Sequence, residues 1–238
     1  MSTYSSPGKI NLPRDCIQAR FYSREKRFLI RASRNGNEIL AHTNNSGSML
    51  GLLRPGRTVL LSPAQNPKRK LPYTLEMIRV EGFWVGVNTL VPNRMLHLAW
   101  QDQLIPELAG YEHFRSEAGT GKSRLDARLE GSRGRLWIEA KNVTLVEDDK
   151  AYFPDAVSKR AARHMEELIQ LSRAGYNVAC FYLVQRSDGK CFGPADFIDP
   201  EFAQVFSRAI SEGLKVLAYS TRIDSSGIAL EKRLPLHL

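Results

Sequence analysis

The sequence predicts a chain of the α/β (α+β) class, with a small N-terminal β-barrel followed by a mixed-sheet α/β domain. Three observations lead there. The N-terminal third reads as short strands punctuated by Gly- and Pro-bearing turns. Beyond Val91, amphipathic helical stretches alternate with strands. Between the helices, Ser123–Lys141 (SRLDARLEGSRGRLWIEAK) alternates in both halves around a turn at Gly131–Gly134, as a β-hairpin does.

In chain order, Arg20-Phe21-Tyr22 and Arg27–Arg31 are strand-like. Asn35-Gly36 is a strong hairpin turn before a strand at Glu38–His42. A Gly- and Ser-rich loop covers Thr43–Gly51, and Pro55-Gly56 turns the chain into Thr58–Leu61. After a loop at Gln65–Leu71, Tyr73–Val80 and Phe83–Val87 make a second hairpin around Glu81-Gly82. About five short strands in this length suit a small closed barrel of the oligonucleotide-binding (OB) type, with an SH3-like barrel as the alternative. The boundary falls near Val91–Asn93, giving domains 1–92 and 93–238.

Arg94–Gly110 reads as a helix, with Leu96, Ala99, Trp100 and Leu104 on one side and Pro106 disturbing its end. In the hairpin, Leu125, Ala127 and Leu129 are expected on one face and Arg124, Asp126 and Arg128 on the other. Ile138 and Ala140 share a face; Trp137, Glu139 and Lys141 share the opposite one. A helix follows over Asp155–Ala174, with Asp155 as N-cap, a stripe of Val157, Ala161, Met165, Leu168 and Ile169, and Gly175 at C′. Val178–Val184 is a near-continuous apolar run, as a buried parallel strand would be. Asp199-Pro200 opens a last helix with Phe202, Val205, Phe206, Ala209 and Ile210 inward, closed by Gly213 before a strand at Leu214–Tyr219.

Composition excludes several classes. With 238 residues, 42% hydrophobic and 25% charged, the chain is ordinary for a globular protein. No apolar run approaches membrane-spanning length, and MSTYSSPGKINLP lacks a signal-peptide core, so a cytoplasmic protein without membrane contact is expected. Cys16, Cys180 and Cys191 are scattered and odd in number, which favours neither disulfides nor a zinc site. A net charge of +9 favours an anionic partner: nucleic acid, an acidic membrane surface, or solubility alone. Gly119–Ser123 looks like the end of a phosphate loop, but the glycine spacing and the following helix are missing, which argues against ATP binding. His42, His97, His113, His164 and His237 are isolated and no nucleophile elbow is present, which argues against a Ser/His/Asp or Cys/His site.

The polar faces of the hairpin bring Asp126, Glu139 and Lys141 together. Two carboxylates beside a lysine suit a hard divalent cation and a water nucleophile. Asp, a short gap, then Glu-x-Lys is the spacing of the PD-(D/E)xK nuclease core. A Glu-x-Lys on an exposed strand also occurs as a solvated cross-strand pair. Glu117 is a candidate third metal-binding carboxylate. Arg160 and His164 share a helix face and are placed to reach the metal site or a phosphate, while Lys159 and Arg163 are expected to be solvated. Arg124, on the polar face, is a further nucleic-acid contact. Lys68-Arg69-Lys70 is the densest basic cluster, with Tyr73 and Trp84 nearby as candidates for base stacking.

With these residues laid out, the chain resembles the sugar fermentation stimulation protein A (SfsA) family over nearly its whole length. The landmarks are Asn45-Ser46-Gly47-Ser48-Met49, Pro55-Gly56, Lys68-Arg69-Lys70, Val87-Asn88-Thr89, Ser116-Glu117, Ser123-Arg124-Leu125-Asp126, Ile138–Thr144 and Tyr152–Val157. It departs from the family pattern at Thr43–Gly47, where a Cys-Pro-Asn-Thr-Gly type loop is usual, at Ala161, where Gly is usual, and at Asn142, where Ser is usual. The resemblance implies an OB-type N-terminal domain, a PD-(D/E)xK nuclease-like C-terminal domain and non-specific DNA binding. It implies Mg²⁺ or Mn²⁺ held by Asp126, Glu139 and the Ala140 carbonyl, with Lys141 activating water. Two functions follow: a metal-dependent nuclease acting on DNA, with RNA as the alternative, or a non-catalytic DNA-binding regulator of sugar (maltose) metabolism genes. A homodimer is compatible with the sequence, which leaves the oligomeric state open.

Overall fold

The structure is a computed structural model that describes residues 7–66, 68–121 and 123–238. The N-terminal tail, Pro67 of the basic loop and Lys122 of the Gly119–Ser123 stretch lie outside the described residues.

The chain opens with β1 (Lys9–Asn11) and then builds a barrel from β2 (Ile17–Glu25), β3 (Leu29–Arg34), β4 (Asn37–His42), β5 (Thr58–Pro63) and β6 (Tyr73–Val80), extended by β7 (Phe83–Gly86). The order is β4-β3-β2-β5-β6-β7, and parallel pairing of Ala41 with Tyr73 and His42 with Thr74 closes it between β4 and β6. This is the expected OB-type barrel. Both hairpin turns behave as their sequences require: Asn35 and Gly36 have φ of 52° and 81°, and Glu81 and Gly82 have 49° and 96°. Phe21, Ile30, Ala41, Leu61, Leu75, Ile78 and Val85 fill the interior.

The second half contains α1 (Val91–Gln101), β8 (His113–Gly119), β9 (Arg124–Gly131), β10 (Gly134–Val143), β11 (Leu145–Glu147), β12 (Lys150–Phe153), α2 (Lys159–Arg173), β13 (Asn177–Val184), β14 (Cys191–Pro194), α3 (Pro200–Ser211), β15 (Lys215–Asp224) and β16 (Gly227–Arg233). A seven-stranded sheet runs β1-β16-β15-β13-β10-β9-β8, with β10, β13 and β15 parallel, so it is mixed as expected. β1 therefore belongs to the large sheet rather than to the barrel, where it pairs Ile10 with Ile228. β11, β12 and β14 form a separate small sheet.

β13 shows why its run is apolar. Val178, Cys180, Tyr182 and Val184 pack toward α2 and α3, while Ala179, Phe181 and Leu183 pack toward α1. Both faces are covered, so neither can be polar. Leu60 and Met77 of the barrel join the α1-side core, which seats the two halves against each other.

Three local expectations are corrected. α1 stops at Gln101, because Gln103 takes a left-handed φ of 54° and Pro106 starts a separate 3₁₀ turn over Pro106–Leu108. The N-cap of α2 is Ser158, whose Oγ accepts from Ala161 N at 3.2 Å; Asp155 instead accepts from Met49 N at 2.8 Å, tying the Thr43–Gly51 loop to the second half. Leu125 does not share a core with Ala127 and Leu129. Glu117, opposite Asp126, adopts φ 48°, and there the β8–β9 ribbon turns over: Ala118 and Leu125 pack toward α2, Ala127 and Leu129 toward α1. Among the described residues the three cysteines are free, and no helix is long and apolar enough to cross a membrane.

Candidate metal and nuclease site

β9 and β10 pair in register from Gly131–Gly134 up to Ala127–Ile138, and the ladder stops there. Beyond it the Asp126 carboxylate takes the place of a backbone acceptor, with Oδ2 receiving Ala140 N–H at 2.8 Å. Its Oδ1 accepts from Nδ2 of Asn93 on α1, also at 2.8 Å. Glu139 sits on β10 and is nearly sealed, its side chain 4% exposed. Lys141, two residues on and so on the same face, donates to Glu139 Oε1 at 2.5 Å. His164 of α2 donates from Nδ1 to the same Oε1. Oε2 of Glu139 is buried and has no hydrogen-bond partner among the described residues.

The electrostatics follow from this packing. Burial, and then the neighbouring Glu139, push the Asp126 carboxyl above its usual range against the pull of Ala140 N–H, Asn93 and Lys141. Burial pushes Glu139 upward too, but the bond from His164 and the charge and bond of Lys141 outweigh it and hold the group low. The site is thus a buried pair of acids in which one carboxylate oxygen is fixed by two nitrogen donors and another has no partner among the described residues. Unpaired buried carboxylate oxygens are costly unless a cation or donor meets them.

Asp126, Glu139, Lys141, Ala140 and His164 lie together. His164, 12% exposed, holds Glu139 rather than facing solvent. Glu117 is not joined to the acids: it is exposed and pairs with Arg124 at 3.2 Å. Among the described residues no group of three or more His, Cys, Asp or Glu forms a metal-holding cluster. Arg160 is exposed on the first turn of α2, one turn before His164. Lys68, Arg69 and Lys70 are exposed between β5 and β6 on the barrel, with Arg69 donating to Thr74 Oγ1 at 3.0 Å. Tyr73 and Trp84 are half-buried, packed against the barrel core and the α1-side core respectively. Asn93 escaped sequence reasoning; a single Asn early in a helix carries no signal that its amide reaches a carboxylate on a distant strand.

A network of buried polar groups ties this site to the barrel. Gln185, just past β13, donates to Asn142, the residue after Lys141, and to Asn88 O at 3.2 Å. Asn88 donates to Glu76 at 2.8 Å and accepts from Asn44 at 2.6 Å.

Comparison with known proteins agrees with this architecture. Residues 23–87 match the family described as "SfsA N-terminal OB domain", and residues 90–227 match "Sugar fermentation stimulation protein RE domain". The sugar fermentation stimulation protein homolog of Syntrophobacter fumaroxidans is 58% identical over 96% of this chain and 88% of its own. That of Maridesulfovibrio salexigens is 50% identical over 94% and 95%. A solved structure, Pyrococcus furiosus SfsA in complex with Ca²⁺, is similar with a TM-score of 0.90 at 26% identity, covering 97% of this chain and 99% of that one. The chain belongs to the sugar fermentation stimulation protein (SfsA) family.

Proposed function

We propose that the protein is a divalent-metal-dependent nuclease that binds DNA without sequence preference, residues 1–92 presenting the strand and residues 93–238 cutting it. The observation that carries this reading is the partnerless, buried Oε2 of Glu139 beside the Asp126 carboxylate. A hard cation fits that unpaired oxygen, and Mg²⁺ or Mn²⁺ needs only one or two carboxylates, with waters and substrate phosphate completing the shell. The likeness to a protein solved with Ca²⁺, another oxygen-seeking cation, supports the same class of ligand.

Asp126, Glu139 and the Ala140 carbonyl would hold the cation. When bound, it lowers the pKa of a coordinated water and offsets charge on the phosphate. The chain's own groups do the rest. Asn93 and Ala140 N–H fix the orientation of Asp126. His164 and Lys141 anchor Oε1 of Glu139 and so leave Oε2 free for the ligand. In this reading Lys141 orients the attacking water and steadies charge on the phosphate, and Arg160 and Arg124 draw the backbone in.

The test is cleavage of labelled single- and double-stranded DNA and of RNA, with Mg²⁺, Mn²⁺ or chelator. Wild type should cut DNA only with metal. Asp126→Asn should abolish cutting while keeping DNA binding, and Lys141→Ala should slow cutting while keeping metal binding. A wild type that binds DNA and cuts nothing under every condition would overturn the nuclease and leave a DNA-binding protein.

A further inference from the structure

The expected base-stacking rings, Tyr73 and Trp84, are half-buried against the two cores. A second aromatic pair, Phe28 and His42, sits at the barrel surface, with Phe28 exposed and His42 half-buried. Phe28, 46% exposed, stands at the tip between β2 and β3. Its ring lies parallel to that of His42, with centroids 6.1 Å apart and planes 7° apart. The alignment is fixed by backbone: Thr43 N donates to Phe28 O at 2.9 Å. Lys26 and Arg27, just before Phe28, are exposed and hold left-handed φ of 46° and 63°. Two successive non-glycine residues in that region store strain, which persists where the surroundings demand it. At the other end, His42 faces Thr74 across the seam that closes the barrel, and Arg69 is bonded to Thr74. Burial, then the charge of Arg69, lower the His42 pKa, so its ring is neutral at pH 7.

We propose that Phe28 and His42 form a stacking platform for unpaired bases of single-stranded DNA, with Lys26, Arg27 and the Lys68–Lys70 loop on its phosphates. An exposed phenyl ring backed by a half-buried imidazole and fringed by cations matches the two faces of a single strand, bases and phosphates. A duplex stacks its bases on one another and offers no free base face to such a surface. Thr74 and Asn44, beside the platform, are bonded within the protein, to Arg69 and to Asn88. The platform also connects to the acids. Asn44, two residues after His42, bonds Asn88 and Thr89 N, and Asn93, in the first turn of the α1 helix that follows them, holds Asp126. A strand stacked on the platform therefore lies at one end of the seam that leads to the acid pair. This inference rests on the reading of the barrel as the part that presents nucleic acid.

The experiment is fluorescence anisotropy of labelled oligonucleotides with the full chain in chelator, so that no cutting is required. Wild type should bind a single strand more tightly than the duplex of the same sequence. Phe28→Ala and His42→Ala should each weaken single-strand binding by about tenfold, the loss expected for one stacked base. Phe28→Tyr should restore it. That loss should persist as salt rises, whereas the contribution of Lys68, Arg69 and Lys70 should fade. Tyr22, 70% exposed on β2 and without a stacking partner among the described residues, is the control, and Tyr22→Ala should bind as wild type. Equal affinity for duplex, tighter binding of RNA, or unchanged affinity in Phe28→Ala would overturn the platform. Failure of the nuclease reading is separate, since it would leave these affinities as described and show no cleavage with metal.

Discussion

Asp199 offers the sharpest structural test, because one buried carboxylate sets the start of two helices. It is 3% exposed. Its Oδ1 accepts from Phe202 N at 3.0 Å and caps α3; its Oδ2 accepts from Ser158 N at 2.8 Å, and Ser158 caps α2. Asp199→Ala removes the α3 cap, a loss of about 1 kcal/mol. It also strands the Ser158 N–H without its acceptor, at about 1–3 kcal/mol. The sum is about 2–4 kcal/mol. At roughly 2–4 °C per kcal/mol for a chain of this size, the melting temperature should fall by about 4–16 °C. Asp199→Asn keeps one oxygen and should lose about half as much. α2 carries His164 to Glu139, so metal-induced stabilisation should weaken as well in Asp199→Ala. Thermal unfolding followed by circular dichroism, with and without Mn²⁺, reads both effects. A loss under about 0.5 kcal/mol, the level of an ordinary surface change, would refute the dual-cap reasoning.

Asp126→Asn should raise the stability of the metal-free protein near neutral pH. Burial and Glu139 raise the folded-state pKa, so ionising Asp126 penalises the fold, and that penalty grows as pH climbs from the ordinary carboxylate pKa through the raised one. Asn removes the penalty, and Asn93 can turn its amide to suit; melting curves in chelator should diverge above acid pH and converge below, whereas a lower melting point at pH 7 would contradict this. Replacing Lys68, Arg69 and Lys70 with Ala should flatten the log–log salt dependence by about 0.7 per lost contact on single strands, and an unchanged slope removes the loop from the interface. Gly86→Ala should destabilise by about 1–3 kcal/mol in denaturant, because its Cβ would fall onto Gln185 Oε1 and 2.8 Å from Cδ at the seam between the halves. A neutral effect there would mean that the seam has slack.

Features legible in the sequence were those encoded locally. The Asn35-Gly36 and Glu81-Gly82 turns, the buried run at 178–184, the Asp199 cap and the 123–141 hairpin all rest on residues close in the chain. The acid pair was legible for the same reason: Glu139 and Lys141 are two apart on one strand, and the hairpin turn fixes where Asp126 falls. What escaped depends on distant partners. Asp155 looks like a helix cap until the Met49 N–H claims it from the barrel. Leu125 looks like a companion of Ala127 until Glu117, on the neighbouring strand, turns the ribbon over. β8, HFRSEAG, is polar because it is an edge strand, and its composition hides it. Tyr73 and Trp84 looked fully available because nothing local says that one packs on the barrel core and the other on the α1-side core.

The most direct measurement is a crystal structure of the wild-type protein grown or soaked with Mn²⁺, with data collected at an energy where manganese scatters anomalously. An anomalous peak within coordination distance of Glu139 Oε2 and the Asp126 carboxylate is the expected result, and it should be absent from the Asp126→Ala, Glu139→Ala double variant. A manganese ion found only elsewhere, or Glu139 Oε2 occupied by a protein or water donor with no metal beside it at saturating Mn²⁺, would contradict the proposed site.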